Sequence, residues 1–287
     1  MLPSPAPLRP LPSILLLLMA LALPCPALGQ TRPYPWLERY RAAHSVARRI
    51  PPPAGCRRQA APAGSFAAWL RGLPLTEGRP PVLLHNGQPK RNQAAHHAVV
   101  DIDVGRRDLQ QCADAVMRLR AEYLYAAGKR DAIRFHFTSG DRADFAQWAR
   151  GYRPVVRGNT VRWARSAAPD ASYRSLRSYL TRVFIYAGTH SLSREMKPVR
   201  DIGQMQAGDV FVQGGFPGHA VLVVDMAVHA TTGRRCFLLA QSYMPAQHIH
   251  ILRNPAAPPL SPWYPVDFGE TLRTPEWTFR RSDLKRF

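Results

Sequence analysis

The chain has 287 residues, with 39 lysines and arginines against 19 acids and a formal net charge of +20 at pH 7. Four cysteines are too few for a disulfide scaffold of this length, and the cations are scattered arginines with no run of five, which argues against a specific nucleic-acid groove. The cation excess would favour anionic partners such as polyanionic envelope polymers, membrane faces or nucleic acid, and the scattering weakens that reading.

In chain order, residues 1–29 read as a secretory signal. Arg9 is their only charge, Ile14 to Leu23 form an apolar run of ten, and Ala27-Leu28-Gly29 offers small residues for cleavage. Ten apolar residues are too few to span a bilayer, and no later run approaches that length. Cys25, directly after Pro24, leaves lipid anchoring open. Cleavage after Gly29 would leave 258 residues (287 − 29) with Cys56, Cys112 and Cys236. An odd count in an oxidising compartment leaves at least one thiol unpaired, and spacing does not decide whether Cys56 and Cys236 join.

Thr31 to Arg49 predicts a helix closed by Pro51-Pro52-Pro53, and Ser65 to Arg71 a short helix capped by Ser65. Val82 to Leu84 and His97 to Val104 predict strands. Asp108 to Ala127 carries the strongest helical periodicity, through Leu109, Cys112, Val116, Leu119 and Tyr123, and stops at Gly128. Ile133 to Phe137 predicts a strand, Asp141 to Arg150 a helix, and Val155 to Trp163 a hairpin about Gly158-Asn159. Ser172 to Ala187 predicts a second long helix. Strands follow around His219 and from Cys236 to Gln241, then a Pro-rich stretch from Pro255 to Pro265. Helices mixed with antiparallel strands give an α+β class.

Several polar groups could carry chemistry. His219 opens a strand beside Gly214, Gly215 and Gly218, where a substrate or second chain can come close. It is either a general base at a cleft edge or a histidine bonded to a backbone carbonyl. Alternation places His219, Val221, Val223 and Asp225 on one face. Cys112 lies in the first turn of its helix, where the macrodipole and free N–H groups activate a thiol. It also shares a face with Leu109, Val116 and Leu119, as a buried structural cysteine would. Gln110 and Gln111 before it could donate to an oxyanion. His97, Asp101 and Asp103 share a strand face that could hold a cation, but match no compact metal signature. His248 and His250 flank Ile249 without an evident third ligand, and His136 is expected on an exposed strand face. Lys90 to Gln93 and Gln241 to Pro245 are polar segments able to line a cleft.

Two resemblances follow from these residues. A helix ending Val183-Phe184-Ile185-Tyr186-Ala187-Gly188, then Gly208-Asp209 entering a strand, then His219 opening the next, resembles the core of the NlpC/P60 branch of papain-like cysteine peptidases over Ser172 to Gln241. That resemblance implies His219 as base and Gln241 as the group orienting it. It places the nucleophile near Ser175 or Leu176, and no cysteine lies between Cys112 and Cys236. The segments LLHNGQPKRNQAAHHAVVDIDVG, LQQCADAVMRLRAEYLY, GDVFVQGGFPGHAVLVVDMA, LLAQSYMPAQHIHILRNP and TPEWTF are similar to an uncharacterised bacterial family, domain of unknown function 4846.

The resulting expectation is a signal over 1–29, an N-terminal α+β lobe over 30–168, and a papain-like antiparallel sheet packed on helices over 169–287, the last two forming one unit. The expected protein is exported to the cell envelope. It is either a Cys-His amide hydrolase or acyl transferase using Cys112, His219 and Gln241, or a non-catalytic module binding an envelope glycan or peptide. A metal-dependent hydrolase on His97, Asp101 and Asp103 is the third reading. No cofactor is expected, the partner is a cell-envelope polymer or peptide, and the oligomeric state is open.

Overall fold

The computed structural model describes residues 1–4 and 32–287, so the segment expected over 1–29 as a signal lies, from residue 5 on, outside the described residues. Residues 31–287 form one unit. Its strands in chain order are β1 (Cys56–Arg58), β2 (His96–Val99), β3 (Arg134–His136), β4 (Arg142–Asp144), β5 (Tyr152–Arg157) and β6 (Thr160–Arg165). They continue with β7 (Lys197–Pro198), β8 (Val210–Gln213), β9 (His219–His229), β10 (Arg235–Gln241) and β11 (His250–Leu252). The last four are β12 (Tyr264–Pro265), β13 (Thr271–Arg273), β14 (Thr278–Arg280) and β15 (Leu284–Arg286). The helices are α1 (Val46–Arg49), α2 (Phe66–Arg71), α3 (Cys112–Ala126), α4 (Phe145–Ala149), α5 (Tyr173–Tyr186) and α6 (Thr189–Glu195). The class is α+β, and among the described residues no helix is long and apolar enough to cross a membrane.

One sheet organises the molecule. Its order is β2-β11-β10-β9-β8-β15-β7, every neighbouring pair is antiparallel, and β1 and β12 join it at β9 and β10. Strands from both sides of Ala168-Pro169 therefore share this sheet. β9 and β10 are buried on both faces, which explains their near-continuous apolar runs. One face packs Ala220, Leu222 and Val224 against α3 residues Val116 and Leu119, while Val221, Val223 and Met226 join Phe211, Phe237 and Phe279 in a second core.

The expected alternation along β9 fails at one place. Leu238 pairs with Asp225 but Leu239 pairs with Val223, so β9 carries one extra residue there, a bulge. Met226, not Asp225, continues the face of Val221 and Val223. The Asp225 carboxylate is instead held by Arg58 at 2.7 Å and Arg71 at 2.8 Å, a buried structural ion pair.

Other expectations shift for physical reasons. Ser65 caps α2 through its hydroxyl, which accepts from Ala68 N. The helix expected over Thr31 to Arg49 shrinks to α1 because the aromatics before it bond outward. Tyr34 Oη donates to Trp69 O, Trp36 Nε1 to Asp101 O and Tyr40 Oη to Gly72 O. Leu83 and Leu84 make only isolated bridges, and the strand expected to reach Val104 ends at Val99. Over Asp141 to Arg150 the chain first pairs as β4 with β3 and only then turns into α4. The hairpin about Gly158-Asn159 forms as β5 and β6.

Candidate active site

The site forms where the N-terminus of α3 meets the first residue of β9 and the last of β10. α3 packs on β9. The backbone N–H groups of Ala220, the residue after His219, and of Ala113 and Cys112 at the helix start act on the Cys112 thiol, each favouring its charged form. Two contacts pin this end of the helix to the end of β10. Ser242 Oγ, which donates to Gln247 O at 2.8 Å, lies 3.1 Å from Gln110 O, and Asp108 Oδ1 accepts from Ala246 N at 2.6 Å. Gln111 caps α3 in a reciprocal box with Asp114.

His219 is 1% exposed and Gln241 2%. The ring Nε2 of His219 lies 2.9 Å from Gln241 Oε1. Which way the Gln241 amide points follows from its other neighbours. Its Nε2 lies 2.8 Å from Glu276 Oε2 and 3.3 Å from His250 Nε2. A carboxylate only accepts, so the amide nitrogen must face Glu276, and Oε1 must face His219. His250 Nδ1 lies 2.9 Å from the carbonyl of His248, so Nδ1 carries its proton and Nε2 accepts from the second amide hydrogen. Both amide hydrogens are used, and Oε1 can only accept. His219 therefore carries its proton on Nε2 and keeps a lone pair on Nδ1.

Glu276 is held in turn. Lys90 Nζ donates to both its oxygens, at 2.7 and 2.9 Å, and Asn92 Nδ2 donates at 3.3 Å. Lys90 is only 6% exposed, so the pair is withdrawn from water. The ring of Tyr243 lies 4.7 Å from that of His219, with Lys90 Nζ 5.0 Å from its centre. Burial, Glu276 and Cys112 push the Tyr243 hydroxyl above its ordinary pKa, which places the phenol among the same charges. Trp277 and Phe279 flank His219 at 5.3 and 5.9 Å, and Trp277 is fixed by Nε1 donating to Gln213 Oε1. Two large apolar side chains stay exposed nearby in sequence: Phe216, three residues before His219, and Met244, three after Gln241.

Burial sets the protonation states. It pushes the Cys112 thiol up to about 11, with the Asp114 charge adding to the effect and the backbone N–H groups opposing it. It pushes His219 down to about 4 against the pull of Gln241 and Glu276, and His250 down to about 3. The resting site thus holds a neutral thiol and a neutral imidazole, since the thiol keeps its proton far more tightly than the imidazolium would.

Gly218 gives this strand mouth its shape. A Cβ there would lie 2.3 Å from Thr189 Oγ1 and 2.7 Å from the carbonyl oxygens of Gln213 and Gly215. Only glycine lets the chain pass between α6 and the end of β8 on its way to His219.

The remaining sequence candidates fall elsewhere. Gln110 is buried, its Oε1 accepting from Arg118 at 2.9 Å and its Nε2 donating to Asp103 O at 3.4 Å, so its amide is turned to other partners than an oxyanion. Ser175 is buried and accepts from Trp148 Nε1 at 3.1 Å while α5 packs on α4, a structural arrangement. Asp103 pairs with Arg118 and Arg177. Among the described residues no three His, Cys, Asp or Glu side chains are grouped to hold a metal ion, the His97, Asp101 and Asp103 set included. His248 Nδ1 accepts from Leu83 N, and His136 pairs with Glu195 at 2.9 Å. Cys56, Cys112 and Cys236 are free thiols; Cys56 beside Cys236, together with burial, pushes the latter up to about 12. Glu276 escaped sequence reading, because no local pattern joins it to Lys90, 186 positions away. The available signals were the polar composition of the Lys90 loop and the family-like segment TPEWTF that holds Glu276.

The comparison with known proteins agrees with one reading of the sequence. The model of the family described as domain of unknown function (4846) matches residues 46–286, and the chain belongs to that family. No curated protein and no solved structure matches the chain.

Proposed function

We propose that the protein is an exported cell-envelope cysteine hydrolase or acyl transferase acting on an amide or related acyl bond. In this reading Cys112 is the nucleophile, His219 the base and Gln241 the orienting group. The observation that carries it is a buried histidine whose Nε2 is committed to Gln241 Oε1 at 2.9 Å, on a strand against which α3, with its helix-start thiol, packs. A nucleophile, a base and a third group orienting the base are the parts that covalent acyl chemistry needs. The arrangement supports a papain-like reading of the site, with one departure. The helix carrying the thiol is α3, not the α5 that the NlpC/P60 resemblance assigns to that place.

The chemistry runs from neutral partners. As Cys112 Sγ attacks the acyl carbon, its proton passes to His219 Nδ1. The developing oxyanion meets backbone N–H groups at the start of α3. The imidazolium, steadied by Gln241 and through it by Glu276, returns the proton to the leaving nitrogen, and a thioester remains on Cys112. Water or an acceptor amine then attacks the thioester, with His219 taking its proton, and the thiol is regenerated. Glu276 and Lys90 act as positioning residues, because they hold the amide that holds the ring.

The test is the pH dependence of turnover on para-nitrophenyl butyrate, a generic acyl donor. With His219 neutral above about 4 and Cys112 protonated below about 11, kcat/KM is expected to stay level between about pH 6 and 9. Iodoacetamide, which needs the thiolate, should label Cys112 slowly at neutral pH and faster as pH rises. A bell-shaped profile centred near neutrality with fast labelling at pH 6 would instead require a thiolate–imidazolium pair, contrary to this mechanism.

A non-catalytic module that binds an envelope glycan or peptide is the second reading, and the burial of the Cys112 thiol is the observation that favours it. It requires that alanine at Cys112 or His219 leave binding intact while alanine at Tyr243 or Trp277 abolishes it.

A further inference from the structure

We infer that the outer face of the β5–β6 hairpin is a docking surface for an extended anionic polymer chain, separate from the Cys112 site. The arginines look dispersed in the sequence, yet between Phe145 and Arg182 there are eight of them (150, 153, 157, 162, 165, 174, 177 and 182) against one acid, Asp170. The fold concentrates that excess. β5 and β6 form a two-stranded sheet of their own, with Val155 opposite Arg162, Arg153 opposite Ala164 and Arg157 opposite Thr160. Strand alternation gives the hairpin two unlike faces. The inner face carries Val161 and Trp163, which pack against the main core. The outer face carries Arg153, Val155, Arg157 and Arg162.

Three observations mark that face as built for a ligand. Among the described residues none of Arg153, Arg157 and Arg162 takes part in an ion pair. Arg157 and Arg162 are exposed, and between them Val155 is 46% exposed, an apolar contact among cations. Arg153 is anchored, its guanidinium 3.8 Å from the centre of the Trp148 ring and its Nη1 donating to the carbonyls of Trp148 and Tyr152. Burial lowers the pKa of Arg153, and Arg182 on α5 adds to that against the pull of Asp170, the one acid of this segment.

Like charges held together cost stability unless something anionic meets them. Along β5 the outward positions run Arg153, Val155, Arg157, and Arg162 on β6 lies across from Val155, so the cations surround one apolar side chain on an open face. That face suits a linear chain bearing repeated anionic groups, with guanidinium forks binding phosphate or sulfate oxygens in pairs. A flat, two-stranded face offers no cavity for a small ligand, so an extended polymer is the occupant that fits it.

The experiment titrates the full chain with long-chain polyphosphate at several salt concentrations. The double variant Arg157→Glu/Arg162→Glu should bind at least tenfold more weakly and show a shallower salt dependence, because two contacts that displace counterions are lost. A control with the same charge change elsewhere, Arg39→Glu/Arg41→Glu, should stay within about twofold of the parent. Arg157→Gln/Arg162→Gln, which removes charge without reversing it, should fall between them, and circular dichroism checks that each variant is folded. Equal losses in the hairpin and control variants would overturn the proposal, since net charge alone would then explain binding. So would binding to phosphatidylglycerol vesicles through these arginines with no binding to polyphosphate. Neither result bears on Cys112, so this inference and the proposed catalytic function succeed or fail separately.

Discussion

Replacing Cys112 by alanine is expected to reduce turnover of para-nitrophenyl butyrate by at least about a thousandfold, to the level of free imidazole and solvent. His219→Ala should lose nearly as much. The double variant should lose no more than the worse of the two, because nucleophile and base act in one step and their effects do not add. Gln241→Ala and Glu276→Gln should each cost roughly ten- to a hundredfold in kcat with little change in KM, as expected of groups that orient rather than bind. Glu276→Gln is the more informative. It keeps the shape but replaces an acceptor-only group with one that also donates, so the Gln241 amide is free to turn and His219 to change tautomer. A Cys112→Ala protein of undiminished activity, or a Glu276→Gln change confined to KM, would contradict this account.

The largest effect on stability is expected at Glu122. Arg118 and Glu122 are both fully buried one helical turn apart in α3, with Nε and Oε1 at 2.6 Å. Arg118 also reaches Gln110 at 2.9 Å and Asp103 at 3.3 Å, while Tyr173 donates to Glu122 at 2.8 Å. Glu122 and Asp103 keep the guanidinium firmly charged despite its burial. Glu122→Gln removes the buried counter-charge and leaves that cation with only the exposed Asp103 carboxylate at 3.3 Å, which costs about 3–5 kcal/mol. Arg118→Met/Glu122→Leu, removing both charges together, should cost far less. Urea denaturation separates these outcomes. A loss under about 1 kcal/mol for Glu122→Gln would show that the pair does not hold α3. The network also steadies Gln110, two residues before Cys112, so Glu122→Gln should lower turnover as well as stability.

Much of the scaffold was readable from local pattern. The periodicity of α3 and α5, the Ser65 cap of α2, the Gly158-Asn159 turn, and β9 and β10 around His219 all depend on neighbouring residues, and neighbours are what sequence periodicity records. Within the site, Gln241 stood at the end of a buried strand, where a polar side chain needs a partner, and that partner is His219. What stayed hidden is non-local. Glu276 and Lys90 meet only because the segment between β13 and β14 folds back over the end of β10, and the polarity of either residue alone reads as surface. The bulge in β9 likewise needs the register of β10 to be seen, so Asp225 was expected on the wrong face. The helix expected before Arg49 gave way because Tyr34, Trp36 and Tyr40 find better partners across the chain than along it. Distribution of charge was hidden in the same manner: arginines spaced along β5 and β6 become one face only when the strands pair.

The central claim is that Cys112 forms a covalent acyl intermediate with His219 as its base. Peptide mapping by mass spectrometry after brief incubation with para-nitrophenyl butyrate, quenched in acid, tests it most directly. The account predicts a single butyryl adduct on Cys112, absent in His219→Ala and absent from Cys56 and Cys236 under the same conditions. Acylation spread evenly over the three thiols, or none on Cys112 while Cys56 and Cys236 react, would contradict it and leave the cleft as a binding site.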